Sequence, residues 1–280
     1  MPAASGISSC YIETTEINCE VHRNKTMHER RKKGTDKMDR NLMALAIIPG
    51  LLIIIYVYRK DKVEKEPPGL IMRIILLGVL SCMAAGYLEM FESQFLPQYP
   101  QGSVEYALTT AFCMAAFVEE IVKFLAMRIG SWKYPGFNYR FDGIVYGVSS
   151  AVGFAVYENI MYVARYGLET AIVRAFTAIP LHAFCGVFMG VFYSYSKKSS
   201  ILGNKGASAG YTLLSLLVPM LIHGTYDTFA FLGNQGTVPL LIFVVILYIA
   251  AITTIKRMSA ADYRAGFYPK ARVIDYNVDI

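Results

Sequence analysis

Charge is scarce in this chain. Only 17% of its 280 residues are Asp, Glu, Lys or Arg, whereas a soluble domain carries about a quarter. The shortage argues against reading the length as two soluble domains. Histidine is scarcer: there are four, and His22 and His28 lie in a polar leader, leaving His182 and His223 inside apolar blocks. The five cysteines have no zinc-finger or zinc-ribbon spacing. Cys10 and Cys19 lie in the leader, and Cys82, Cys113 and Cys185 read as buried free thiols. No H-E-x-x-H is present, so the zinc signature of soluble metalloproteases is missing. No apolar run follows Met1, which excludes a secretory signal peptide. Internal repeats and low-complexity linkers are absent too. The net charge of +6 is loop charge that orients helices, so no nucleic-acid partner is expected.

What the chain has is long hydrophobic runs, with 55% of residues hydrophobic. Several runs reach the ~20 residues needed to cross a bilayer. The expected fold class is all-α: a polytopic transmembrane helical bundle of about seven spans, near 42–58, 70–91, 104–127, 141–163, 170–195, 209–232 and 238–254. The third, fourth and sixth carry ionisable residues, so hydropathy alone is expected to pass over one of them. Their backbones must still be helical, because lipid offers no partner to free N–H and C=O groups.

Loop charge orients the bundle. Arg59, Lys60, Lys62 and Lys65, then Arg128, Lys133 and Arg140, then Lys197, Lys198 and Lys205 fall in alternate loops, and the tail on that side is basic as well. Loops 92–103 and 233–237 hold no Lys or Arg. The positive-inside rule makes the first set cytoplasmic, with the C-terminus inside. The leader 1–37, with Arg30, Arg31, Lys32 and Lys33, contradicts that placement. It reads as a disordered leader or a gene-start artefact, with translation expected to begin at Met38 or Met43. The organisation expected is a leader 1–37, a membrane domain 38–257 and a cytoplasmic tail 258–280.

An ionisable side chain at bilayer depth costs at least about 2.5 kcal/mol on insertion scales, so intramembrane charges point to function. Here they are Glu119, Glu120 and Lys123 in the third span, Glu158 in the fourth, His182 in the fifth, and His223 with Asp227 in the sixth. Glu119 and Lys123 are i,i+4, and Glu120 and Lys123 are i,i+3, so either acid can pair with the lysine. Adjacent residues stand ~100° apart on a helix. The two acids are therefore expected not to point at one atom, one facing a reaction centre while the other orients a partner. His223 and Asp227, again i,i+4, place a carboxylate where it can fix the imidazole tautomer. A carboxylate in a low-dielectric site is a competent general base, and histidines opposite it can stabilise an oxyanion or hold a metal. The set suits water activation and peptide hydrolysis. Glu158 and Asn159 read as supporting residues or as interhelical glue. Asp142 reads as a supporting residue or as a helix cap. Arg73 and Arg174, near span ends, are expected to snorkel to the interface, and Glu89 to be solvated. Gly143/Gly147 and Gly186/Gly190 match the small-xxx-small pattern and place the fourth and fifth spans together at the bundle centre.

Read in order, Glu119-Glu120-Ile121-Val122-Lys123, Phe141-Asp142-Gly143, Gly153-Phe154, Glu158-Asn159, Pro180-Leu181-His182 and Pro219 through His223 to Asp227 resemble the PrsW family of bacterial membrane proteases. The likeness runs from about residue 43 to 256. It implies an intramembrane protease of the bacterial plasma membrane that makes the first cut in a single-pass anti-sigma factor. A downstream site-2 protease then acts, and a sigma factor is released in response to envelope stress or antimicrobial peptides. By position it makes Glu119, Glu120 and His223 essential, with His182 a fourth. The family is distantly related to the CAAX prenyl proteases, whose pattern has Asn where this chain has Asp227. An Asn donates to an oxyanion, whereas an Asp accepts or binds metal. Two mechanisms therefore stand: glutamate-activated water without metal, or a metal such as zinc on His182, His223 and Glu120. Outside the resemblance, the same residues suit a proton-coupled transporter, or a scaffold or immunity protein with a vestigial site.

Overall fold

Segments with no water to bond must close their hydrogen bonds internally. The computed structural model describes residues 40–262, which are helical almost throughout, with no strand among them. The elements are α1 (Arg40–Lys60), α2 (Pro68–Glu92), α3 (Val104–Leu108), a π-helix (Thr109–Ala116), α4 (Phe117–Ser131), α5 (Arg140–Tyr166), α6 (Leu168–Phe176), α7 (Ala178–Ile201), α8 (Lys205–Phe231) and α9 (Thr237–Asp262). A short 3-10 turn, Gly233–Gln235, joins the last two. The leader 1–37 and most of the tail lie outside the described residues. Helix α9 runs to Asp262, past the boundary expected at 257.

Six helical stretches are long and apolar enough to cross a membrane: α1, α2, α5, α6 with α7, α8 and α9. The remaining expected span is α3, the π-helix and α4 in unbroken succession. The π turn divides it, and α4 carries Glu119, Glu120, Lys123 and Arg128, which is why apolarity alone misses it. Leu51, Leu52 and Ile55 on α1, Leu76 and Leu80 on α2, and Leu241, Ile242, Val245 and Ile249 on α9 are all exposed. Apolar faces this extensive need a lipid solvent. Of the three thiols among the described residues, all free, Cys185 is buried, Cys82 half-buried and Cys113 exposed on the π-helix. Burial of all three was the expectation, and Cys113 departs from it as the one exposed position of the π-helix.

Helix α5 is the hub. Its Phe141, Ile144, Val145, Val148 and Val152 pack with Val57 of α1, Ile71 of α2, Ala183 and Val187 of α7, and Ile255 and Met258 of α9. The glycine expectation holds. A Cβ built at Gly186 would stand 2.6 Å from the Gly147 carbonyl oxygen, and one at Gly190 would meet the Gly143 carbonyl. Only glycine lets the α5 and α7 backbones approach this closely.

One expected span, 170–195, is broken. Thr177 leaves helical geometry with φ −120° and ψ −67°, ending α6 and restarting the chain as α7. Pro180 then falls in the first turn of α7, where a missing N–H costs nothing. A continuous helix would have put it mid-span. The break brings His182 to within about two turns of the start of its helix, rather than mid-span.

At the end of the bundle that bears the basic loops, acids cap α5. Asp262 Oδ1 and Oδ2 accept the Arg140 and Phe141 N–H groups at 3.0 and 2.5 Å. Asp142 Oδ2 accepts those of Asn138 and Tyr139 at 2.9 and 2.8 Å. Beside them, in the loop between α1 and α2, Asp61 and Glu66 are buried. Burial pushes Asp61 up to about 6 and Glu66 up to about 7. An acid whose pKa is higher folded than unfolded costs stability as pH rises. Wild-type stability should therefore decline from the ordinary Glu value of 4.5 towards about 7 as Glu66 ionises. Glu66→Gln should melt higher than wild type at pH 8 and no higher at pH 4.5, a difference that thermal unfolding in detergent will read.

Candidate active site

The ionisable residues of five helices converge. Glu119 and Glu120 lie in the first turn of α4, directly after the π-helix, a distortion frequent at functional sites. Lys123 follows one turn later. Its Nζ lies 2.8 Å from Glu119 Oε2 and 2.9 Å from Glu120 Oε1. Both acids thus point at one atom, contrary to the sequence expectation. The reason is reach: three-carbon arms and a lysine that leans back towards the helix N-terminus close the angular gap. The division of labour survives in another form. The Glu119 side chain is 9% exposed and lines a cavity, whereas that of Glu120 is 0% exposed and does not.

His223, on α8, sets Nδ1 2.8 Å from Glu120 Oε1 and Nε2 3.2 Å from Asp227 Oδ2. Its Nε2 is also 3.9 Å from Glu119 Oε2. His182, on α7, faces it at 5.0 Å between ring centroids, nearly perpendicular at 88°. Lys123 Nζ lies 3.0 Å from His182 Nδ1. An ammonium only donates, so Nδ1 accepts and the proton rests on Nε2, which donates to Glu158 Oε2 at 2.9 Å. The expected i,i+4 pair on α8 is present, and each imidazole also meets a carboxylate of another helix.

Arg174 is what sequence reasoning misplaced. It does not snorkel: its Nη2 lies 2.8 Å from Glu158 Oε2, and its Nε donates to Asn159 Oδ1 at 2.9 Å. Asn159, fully buried, in turn donates to the Ala46 carbonyl at 3.3 Å. It supports the site through Arg174 rather than by entering it. The one available signal was a lone basic residue late in a short helix whose other polar residues, Glu169 and Thr170, both lie in its first turn. Asp142 is not in the site. It lies sixteen residues before Glu158 on the same helix, about 24 Å away, and caps α5. Glu89, expected to be merely solvated, lines the cavity wall.

The cavity, about 730 Å³, opens between α2, the π-helix, α5 and α8. Glu119, Glu158, His182, His223 and Asp227 occupy its floor, and Met83, Met90, Met114, Met161 and several aromatic residues line the rest. The floor lies about two turns below the ends of α5 and α8, at the end of the bundle away from the basic loops. Four carboxylates (Glu119, Glu120, Glu158 and Asp227) face two basic side chains, Lys123 and Arg174. The charge balance therefore favours a further positive group.

A family model described as PrsW family intramembrane metalloprotease matches residues 66–253. The chain belongs to the PrsW family. PrsW proteases of known sequence agree with it over most of their length. "Protease PrsW" of Bacillus subtilis is 33% identical over 66% of this chain and 81% of its own. That of Geobacillus kaustophilus is 31% identical over 78% and 92%, and that of Clostridioides difficile 31% over 75% and 87%. No solved structure matches. The protein is thus a multi-pass PrsW-family membrane protease.

The family description raises the metal question. Among the described residues, one group fits: Glu119, Glu120, His182 and His223, whose ligand atoms lie within 4.8 Å of one another. Two imidazoles and two carboxylates are a donor set suited to zinc. Glu120 Oε2 is buried with no hydrogen-bond partner, a spare anionic ligand atom.

Proposed function

We propose that this protein cleaves a single-pass anti-sigma factor near the outer face of the bacterial plasma membrane, as the first of two cuts. The observation that carries the reading is the cavity whose floor holds Glu119 together with two imidazoles, on the side of the bundle away from the basic loops. With those loops in the cytoplasm, the C-terminus is cytoplasmic and the floor lies beneath the outer surface. Glu119, the acid that faces the cavity, takes the proton from water as it attacks the scissile carbonyl. Glu120 and Asp227 hold His223, and Lys123 and Glu158 hold His182, so the two rings stand fixed beside the reacting carbonyl as an electrostatic wall to the developing oxyanion. Lys123 pairs directly with both acids and holds them in place. A metal ion such as zinc, held by His182, His223 and Glu120, would supply Lewis-acid polarisation of the substrate carbonyl or of water. The mostly apolar walls suit a substrate segment drawn from the bilayer.

The cut product has its extracytoplasmic part removed and keeps its membrane anchor, which suits a downstream site-2 protease. Co-expression with each candidate anti-sigma factor from the same genome tests the reading. A membrane-retained truncated fragment should appear with one of them and vanish with Glu120→Ala. Cleavage of none of the candidates, or equal cleavage by Glu120→Ala, defeats it.

A further inference from the structure

We propose that Lys123 is the resident cation of the four-ligand cluster, and that a divalent metal ion binds there only by exchanging with its ammonium. An ammonium has three N–H donors. Those of Lys123 have three acceptors within hydrogen-bond distance, at 2.8 Å (Glu119 Oε2), 2.9 Å (Glu120 Oε1) and 3.0 Å (His182 Nδ1). These acceptors belong to three of the four residues able to bind a metal. Behind it, Nζ stands 4.0 Å from the centroid of the Phe154 ring, a cation–π contact that seals the remaining side. The ammonium therefore stands where a metal would be coordinated.

While it stays, the lone pair of the neutral His182 ring is taken. His182 has Nδ1 on Lys123 and Nε2 on Glu158. His223 has Nδ1 on Glu120 and Nε2 on Asp227. Metal–ligand bonds of about 2.0–2.2 Å are also shorter than the ammonium contacts, so the donors must draw inward as the lysine leaves. Two cations cannot share the point, because at this separation in a water-poor site their repulsion is large. The cluster is thus assembled in advance by a cation of its own, and a metal ion must displace it.

The inference deepens the reading of this cluster as the catalytic centre, but zinc binding is measured without substrate, so either claim can fail alone. The full chain, purified in detergent and stripped with chelator, is titrated with zinc buffered by a competing chelator. Lys123→Met should take up one zinc per chain at least about tenfold more tightly than wild type, and adding Glu120→Gln to that variant should abolish the gain. Zinc should also raise the melting temperature of Lys123→Met more than that of wild type. Should the variant accumulate only in unfolded form, zinc in the growth medium should restore it. Unchanged or weaker affinity, a gain that survives Glu120→Gln, or an unfolded variant that zinc does not restore would each overturn the proposal.

Discussion

Glu119→Gln is expected to slow peptide cleavage by roughly 100- to 10,000-fold, the range that positioned general bases contribute, while leaving the amount of protein in the membrane unchanged. The amide is isosteric and its oxygen can still accept from Lys123 Nζ, now 2.8 Å from Glu119 Oε2. Glu120 remains paired with the same ammonium at 2.9 Å, so the buried cation keeps an anionic partner. The acid–base function is all that is lost, because Glu119 is the one of the adjacent acids that reaches the cavity. The measurement is the initial rate on a reconstituted substrate, beside immunodetection of the membrane fraction. A rate within tenfold of wild type would remove Glu119 from the chemistry.

Gly147→Val is expected to destabilise the bundle by roughly 3 kcal/mol or more, at or beyond the upper end of ordinary overpacking costs. A Cβ at Gly147 meets the Gly186 carbonyl oxygen and its carbon, which are backbone atoms and cannot rotate away. Relief requires parting α5 from α7, the helices that carry Glu158 and His182. Their 2.9 Å hydrogen bond would go with it. Thermal unfolding in detergent and yield from the membrane should both fall sharply. A variant that melts with the wild type would mean that the two helices do not meet as described.

The helical bundle and most of its centre were legible in the sequence because two rules act locally. Lipid forces helices, and helical periodicity decides which side chains share a face. The Glu–Lys and His–Asp pairings and the glycine contacts follow from spacing alone. What escaped depends on tertiary placement. Arg174 sits near a span end, where arginines commonly reach for water, and nothing in its neighbourhood shows that Glu158 and Asn159 wait on another helix. The two acids of α4 meet at one nitrogen because side-chain length outweighs backbone angle, a matter of rotamers rather than periodicity. Asp142 shares its helix with Glu158 and looks like part of the same apparatus until helix length is converted into distance. The break at Thr177 was signalled only by Pro180, three residues on, and a proline alone does not say whether a helix kinks or restarts.

The carboxylate of Asp262, at the close of α9, covers the first amide groups of α5, and Ser259 on the same helix donates to the Lys60 carbonyl at the end of α1 at 2.5 Å. The last of the described helices therefore fastens the earliest of them and the most central one. During synthesis the earlier spans enter the bilayer before that fastening exists. A nascent chain halted short of α9 would leave the Arg140 and Phe141 amides uncovered and its basic end unclosed, so closure of that end becomes a late, post-insertion event.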